Sequence, residues 1–474
     1  MARSRTALKC IVNSEFLKAR NQSAVYLAVD ILPPRVSELP AAQRKLNVCL
    51  VMDRSLSMGQ QEKLENAKLA ASQLMKSLKP TDYISLITFA DNERVDVAAQ
   101  PATNMSDYQR ALSSIEPEGL TDIFGALLAS FVEARHVLKT ERETISRLIL
   151  LTDGRPTRGV VDIDTFIELC SELRKYGMSV SALGLGSDYN EELLSAIASN
   201  SDGAWYHITD PTSLPAIFSE ELVEMKTVIH VRPKLCLQMM SGAELSDIYK
   251  VRPILDIVRE PEIVDGNFVI PMGDIVGGQP QSFVVKLNLP PRPEGRYRIA
   301  RVELIGGEVD LHEDIVATYT DDALLYEKET NLYPRVLLLT SEGTILLRRG
   351  ISLRDERTIS QADTIIRDTL ADPDALTILR ENDLLMDIVE RFKDAYEKTT
   401  LRKGELTEGE RKEVLSETTI IKRRRDLTPE RSQTICPQCG HVNSNDRRFC
   451  ERCGLELAPP TDSSDPTRES ENVI

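Results

Sequence analysis

Residues 46–57 read LNVCLVMDRSLS. The stretch 46–52 is apolar but for Asn47 and is bounded by polar residues. Such a run suits a strand buried on both faces, as in a sheet covered by helices. It ends at Asp53, and Ser55 and Ser57 follow. A carboxylate and two hydroxyls therefore gather where strand gives way to loop. Hard oxygen donors of this kind suit Mg²⁺, Mn²⁺ or Ca²⁺ rather than zinc. Alone, Asp-x-Ser-x-Ser also describes an ordinary capped turn, because Asp and Ser are favoured ahead of helices.

Similar apolar runs recur at 82–89 (DYISLITF), 147–152 (RLILLT), 178–186 (MSVSALGLG) and 204–208 (AWYHI). Helical stripes lie between them. In 60–78 the stripe is Leu64, Ala67, Ala71, Leu74, Met75 and Leu78; in 161–176 it is Ile163, Phe166, Ile167, Cys170 and Leu173. Strands alternating with helices predict an α/β fold with a mostly parallel sheet over residues 46–225. Ligands of such sheets bind at the carboxyl ends of the strands. Two further features fall there. The run RLILLT leads directly into Asp153, and Thr121 lies in EGLTDIFGALL just ahead of a helical stripe.

Asp53, Ser55, Ser57, Thr121 and Asp153, in this order and context, resemble the von Willebrand factor A (VWA) family at its metal ion-dependent adhesion site. Trp205-Tyr206-His207 followed by an acidic helix is similar to bacterial members. The resemblance implies a Rossmann-like domain that binds Mg²⁺ (or Mn²⁺ or Ca²⁺). In it Ser55, Ser57 and Thr121 would coordinate the ion through hydroxyls. Asp53 and Asp153 would act mostly through bound water and orient the serines. Neutral ligands leave positive charge on the ion, so the site would recognise an Asp or Glu side chain of a protein partner. Leu56 departs from the family, where glycine is common, and would narrow the approach or add an apolar contact. Arg54 has two readings, a lure for the acidic ligand or a solvated loop charge.

The chain changes character after residue 225. Residues 226–320 show period-2 alternation, as in SFVVKLNL (282–289) with Phe283, Val285, Leu287 and Leu289 on one face, and predict a β-sandwich. The strand-like residues 1–45 are expected to complete it, with the α/β domain inserted. Residues 321–398 predict helices, including a stripe of Leu376, Leu379, Met386, Val389, Phe392 and Tyr396 that starts near Asp374. The charged stretch 399–434 reads as a linker and the tail 456–474 as disordered.

Four of the eight cysteines form two Cys-x₂-Cys-Gly turns, Cys436/Cys439 and Cys450/Cys453. Four thiolates make a closed tetrahedral site, so residues 435–455 predict a zinc ribbon that resembles bacterial ones and depends on Zn²⁺ to fold. Cys10, Cys49, Cys170 and Cys236 sit in apolar settings and read as buried thiols. Eight positive against four negative residues give 422–452 a net charge of +4, whereas the whole chain carries −16. The second value opposes a general nucleic-acid coat. Nucleic-acid binding is thus the alternative reading, a complex subunit using the basic linker and ribbon, and a protein-docking role is preferred. Thr418, three residues before Ile421 and beside basic residues, is a candidate phosphoacceptor for a phosphothreonine-reading domain.

The five histidines show no metal or catalytic spacing, and neither a phosphate-binding glycine loop nor a Gly-x-Ser-x-Gly elbow is present. No base with an activating partner stands beside Asp53, so the chain reads as non-enzymatic. No apolar stretch approaches the roughly 20 residues of a membrane helix. The N-terminus shows no signal-type run, and the expected location is cytoplasmic.

Overall fold

Three strands come first: β1 (Ala7–Val12), β2 (Phe16–Lys18) and β3 (Ser23–Leu32). The chain then enters an α/β layer. Its elements are β4 (Leu46–Asp53), α1 (Lys63–Ser77), β5 (Tyr83–Phe89), β6 (Glu93–Pro101), α2 (Met105–Ser113), α3 (Ile123–Thr140), β7 (Ile145–Thr152), α4 (Ile163–Lys175), β8 (Met178–Leu185), α5 (Glu191–Asn200), β9 (Trp205–Ile208) and α6 (Leu214–Lys226). This computed structural model describes residues 6–36, 44–141, 144–258, 261–306, 309–401 and 406–419, together with strands at 433–435 and 442–444.

The α/β sheet has the order β6-β5-β4-β7-β8-β9 and is parallel except where β6 pairs with β5. Strand β4 is buried along its whole length because its two faces meet different cores. Leu46, Val48, Leu50 and Met52 pack with α1, α2 and α6, while Cys49 and Val51 pack with α3, α4 and α5. Two-sided burial hides the strand's alternation behind continuous hydrophobicity. Strand β6 is a sixth strand that the apolar-run reading omits. It lies at the edge and buries only Val97, so it has no apolar run to find. The loops after β4 and β7 lead to α1 and α4 on opposite faces, the arrangement in which open α/β sheets bind ligands between two strand ends.

The later strands are β10 (Val228–His230), β11 (Lys234–Met239), β12 (Glu244–Arg252), β13 (Asp256–Ile257), β14 (Glu262–Val264), β15 (Asn267–Pro271), β16 (Ile275–Val276), β17 (Gln281–Leu289), β18 (Gly295–Gly306) and β19 (Val309–Thr320). One sheet has the order β1-β3-β17-β12-β13 and another β14-β15-β11-β18-β19-β2. The N-terminal strands thus pair with strands that follow the α/β layer. Val25, Leu27, Val29 and Ile31 of β3, with Phe283, Val285, Leu287 and Leu289 of β17, share one core with Leu235, Leu237, Val302 and Leu304 of the other sheet. On the opposite face, Ala28, Tyr249, Val251 and Val284 pack under helices.

The helices are α7 (Ala323–Tyr326), α8 (Tyr333–Leu353), α9 (Glu356–Ala371), α10 (Pro373–Glu381), α11 (Asp383–Leu401) and α12 (Glu408–Thr419), and α8, α10 and α11 supply the buried side chains over this face. The single stripe expected from Asp374 onward is two helices. Asp372, not Asp374, caps α10, and the Asn382 side chain accepts from the Leu384 and Leu385 amides at 3.1 Å to start α11. The linker expected at 399–434 also needs correction. Its residues 408–419 are helix α12, whose Val414 and Leu415 join a core with α8, α9 and α11. The charged sequence hides this helix because only one side is buried.

Residues 422–474 form a second unit. Its described parts are β20 (Gln433–Ile435) and β21 (Val442–Ser444), paired antiparallel with Ile435 opposite Val442. Cys436, Cys439, Cys450 and Cys453 lie outside the described residues, as does the tail 456–474.

Candidate functional site

Asp53 ends β4 and is fully buried. Its carboxylate accepts from the Ser55 amide at 2.7 Å and from the Thr152 hydroxyl at 2.5 Å. Both oxygens therefore shape the loop that presents the serines. Burial pushes the Asp53 carboxyl up to about 6; the Thr152 and Ser55 hydrogen bonds oppose this, and the nearby charge of Asp153 adds to it.

The hydroxyls of Ser55 and Ser57 are 3.1 Å apart, and Ser57 donates to Asp153 Oδ1 at 2.6 Å. Thr121 enters from the loop ahead of α3. Its carbonyl accepts from the amides of Thr157 and Arg158 at 3.1 and 3.3 Å, and its own amide donates to the Thr157 hydroxyl at 3.1 Å. A Cβ at Gly154 would stand 3.3 Å from Thr121 Oγ1, so a bare backbone is what lets the two loops approach. The structure thus brings together Asp53, Ser55, Ser57, Thr121 and Asp153.

Two members of this cluster escape the motif reading. Lys63 donates to Asp153 Oδ2 at 2.7 Å, with the lysine side chain 10% exposed and the aspartate 0%. A signal exists: Lys63 lies four residues before Ala67 and extends the apolar stripe of α1 backwards. The other is Thr152, a hydroxyl closing the apolar run Leu148, Ile149, Leu150 and Leu151. Arg54 fits neither sequence reading: it is buried and its guanidinium pairs with Glu118.

The neighbouring loop after β8 is held by the far end of the chain. Lys412 of α12 is buried, donates to the carbonyls of Ser187 and Tyr189, and lies 4.4 Å from the centre of the Tyr189 ring. The Tyr189 hydroxyl is 2.7 Å from His207 Nδ1. Arg155, from the loop of Asp153, donates to Asp188 O at 3.2 Å, so the loop after β8 meets the Asp153 loop on one side and α12 on the other.

Thr418 differs from its sequence reading. It is fully buried in α12, and its hydroxyl donates back to Val414 O and Leu415 O at 2.9 and 3.0 Å. A kinase or a phosphothreonine-reading domain needs an extended, accessible segment, which this helix does not offer. Among the described residues no three His, Cys, Asp or Glu side chains gather as a metal site. No described helix is long and apolar enough to cross a membrane.

Residues 47–220 match the model of the von Willebrand factor type A domain. Among curated proteins, the chain is 26% identical over 302 residues to an uncharacterized protein of Synechocystis, covering 62% of this chain and 70% of that one. It is 26% identical over 208 residues to the uncharacterized protein YfbK of Escherichia coli, covering 43% of this chain and 35% of that one. It is 29% identical over 163 residues to human inter-alpha-trypsin inhibitor heavy chain H2, covering 33% of this chain and only 17% of the relative. A solved von Willebrand factor type A structure from Catenulispora acidiphila superposes with a TM-score of 0.70 at 17% identity, covering 89% of this chain and 98% of that one. The ArnB paralog VWA2 from Sulfolobus acidocaldarius gives a TM-score of 0.52 at 17% identity, covering 87% and 97%. The motif, the sheet topology and these matches agree: residues 47–220 are a von Willebrand factor type A domain.

Proposed function

We propose that this chain is a non-enzymatic interaction protein whose VWA domain holds one divalent cation, Mg²⁺ or Mn²⁺, and through it binds an acidic side chain of a protein partner. The observation behind this is the convergence of three hydroxyls and two carboxylates from three loops at the ends of β4 and β7. The donor set fits a hard cation, because every candidate ligand is oxygen. Ser55, Ser57 and Thr121 would hold the ion. Asp53, tied to Thr152 and the Ser55 amide, keeps the serine loop in place. Lys63 offsets the Asp153 charge and so limits the net negative charge of the pocket. A bound cation would supply positive charge to an incoming carboxylate.

A second metal belongs to this reading. Cys436, Cys439, Cys450 and Cys453 bind Zn²⁺ and staple a docking module.

Calorimetry with MgCl₂ on the zinc-loaded full chain is expected to show one site. Ser55→Ala/Ser57→Ala is expected to lose it while keeping the wild-type circular dichroism spectrum. Equal Mg²⁺ binding by the wild type and the double variant would sink the proposal.

A further inference from the structure

Helix α12 lies outside residues 47–220 and is started by its own local sequence. The Thr407 hydroxyl accepts from the Glu410 amide at 3.3 Å, and the Glu410 carboxylate accepts from the Thr407 amide at 3.0 Å. This reciprocal cap needs nothing from the rest of the chain. The helix then docks in a seat built from three parts of the molecule. The Lys412 ammonium enters a pocket made by the carbonyls of Ser187 and Tyr189 and the face of the Tyr189 ring, groups that suit a cation. Val414 and Leu415 join the core of Leu347, Ile351, Phe392 and Ala395. At the far end the Leu255 amide donates to Thr419 O at 2.9 Å, and the Arg391 guanidinium donates to Glu417 O at 2.6 Å.

A helix leaves its last carbonyls without partners of its own. The seat supplies donors for two of them, and those contacts are backbone contacts that any helix could make. Selection by side chain falls on Lys412, Val414 and Leu415. Thr418 is buried too, but its hydroxyl turns back to its own helix. The hold is shallow. Val414 and Leu415 are the only large apolar residues in 408–419, and burying the Lys412 ammonium sets lost hydration against its new contacts.

We infer that α12 is a detachable strap over a helix-binding groove, and that the opened groove takes a helix of a partner protein bearing a lysine, one intervening residue and two adjacent apolar residues. The helix of the same chain shows the chemistry that fits. An amphipathic helix in a groove is read through its apolar anchors, and the pocket of Ser187 and Tyr189 adds a cationic one. The groove makes no use of the proposed divalent cation.

The test uses a fluorescein-labelled synthetic peptide of residues 406–419 and the full chain, read by fluorescence anisotropy. In the wild type α12 fills the groove, so the peptide meets only the open fraction and its apparent affinity falls by that fraction. Lys412→Glu sets a carboxylate against the Ser187 and Tyr189 carbonyls and frees the groove. The peptide is expected to bind that variant about tenfold or more tightly than the wild type, with or without MgCl₂. A peptide carrying Lys412→Glu is expected to bind neither chain. Val414→Ser, which leaves the ammonium pocket as it is, should give the same gain. Hydrogen exchange reads the strap in the wild type itself: the amides of α12 should exchange about tenfold or more faster than those of α8 and α11. Equal peptide binding by the wild type and both variants, or α12 amides that exchange only when the whole chain unfolds, overturns the strap. Wild-type dimers joined by exchanged α12 helices make a second copy the occupant and overturn the partner reading.

Discussion

The two ends of one sheet are built on opposite plans. At the carboxyl ends of β4 and β7, neutral hydroxyls stand beside two carboxylates, and of the five residues only Ser57 is not buried. Toward the other end of β7, Arg147 meets Glu221 at 2.8 Å and Glu224 at 3.2 Å, and all three are buried. Glu221 also accepts from Ser181 at 2.6 Å and from the Tyr206 hydroxyl. Gln279, from the loop before β17, donates to Glu224 at 3.2 Å, so this cluster ties the α/β layer to the β-sheets. Burial alone would lower the Arg147 pKa, but the charges of Glu221 and Glu224 outweigh it and hold the guanidinium above its usual value. Charges that answer one another inside the chain fix a structure. At the carboxyl end a single ammonium, Lys63, faces two carboxylates, and the hydroxyls bring no charge of their own; this is the end where the proposed cation would sit.

The largest expected effect is at the closed end. Arg147→Ala leaves two buried carboxylates without their cation and should destabilise the chain by about 3–5 kcal/mol in chemical denaturation. The fraction that stays folded should still bind Mg²⁺ like the wild type. A loss of under about 1 kcal/mol would erase the contrast between the two ends.

At the carboxyl end, Lys63→Met removes the ammonium that faces Asp153. In EDTA the variant should lose about 1–3 kcal/mol, the range for a buried polar group left unanswered. Added MgCl₂ should recover much of that loss, since a cation can replace an ammonium at the cluster. If Mg²⁺ recovers nothing, Lys63 belongs to a closed ion pair like that of Arg147.

The smallest effect concerns the docking of α12 beside the carboxyl end. His207 is half-buried, and burial first, then the Lys412 ammonium, lower its pKa. A base whose folded pKa is depressed stabilises the fold above its unfolded value of about 6.5, and that contribution is lost as pH falls through the folded pKa. Urea midpoints should therefore drop slightly more steeply below about pH 6.5 in the wild type than in His207→Gln. Parallel pH profiles would show that His207 does not report on the α12 contact.

Much of the cluster was legible because motif residues sit at strand ends that announce themselves by hydrophobicity. Asp53 and Asp153 each follow an apolar run, and Thr121 precedes a helical stripe. Lys63 was not, because a lysine inside an apolar stripe reads as a solvated charge until its partner is known. Thr418 was misread for a related reason. A charged stretch looks like linker, yet α12 needs only Lys412, Val414, Leu415 and Thr418 on one side to dock.

The sequence by itself determined the α/β character, the position of the five oxygen-bearing residues and the change to strand pairing after residue 225. These follow from local periodicity and from residue chemistry at element ends. Only the tertiary structure decided which loops meet, that β3 pairs with β17 across the inserted domain, that Lys63 faces Asp153, and that α12 returns to the loop after β8. Those contacts join residues far apart in the chain. Their free energy comes from burying both partners together, and no local pattern in either segment carries it.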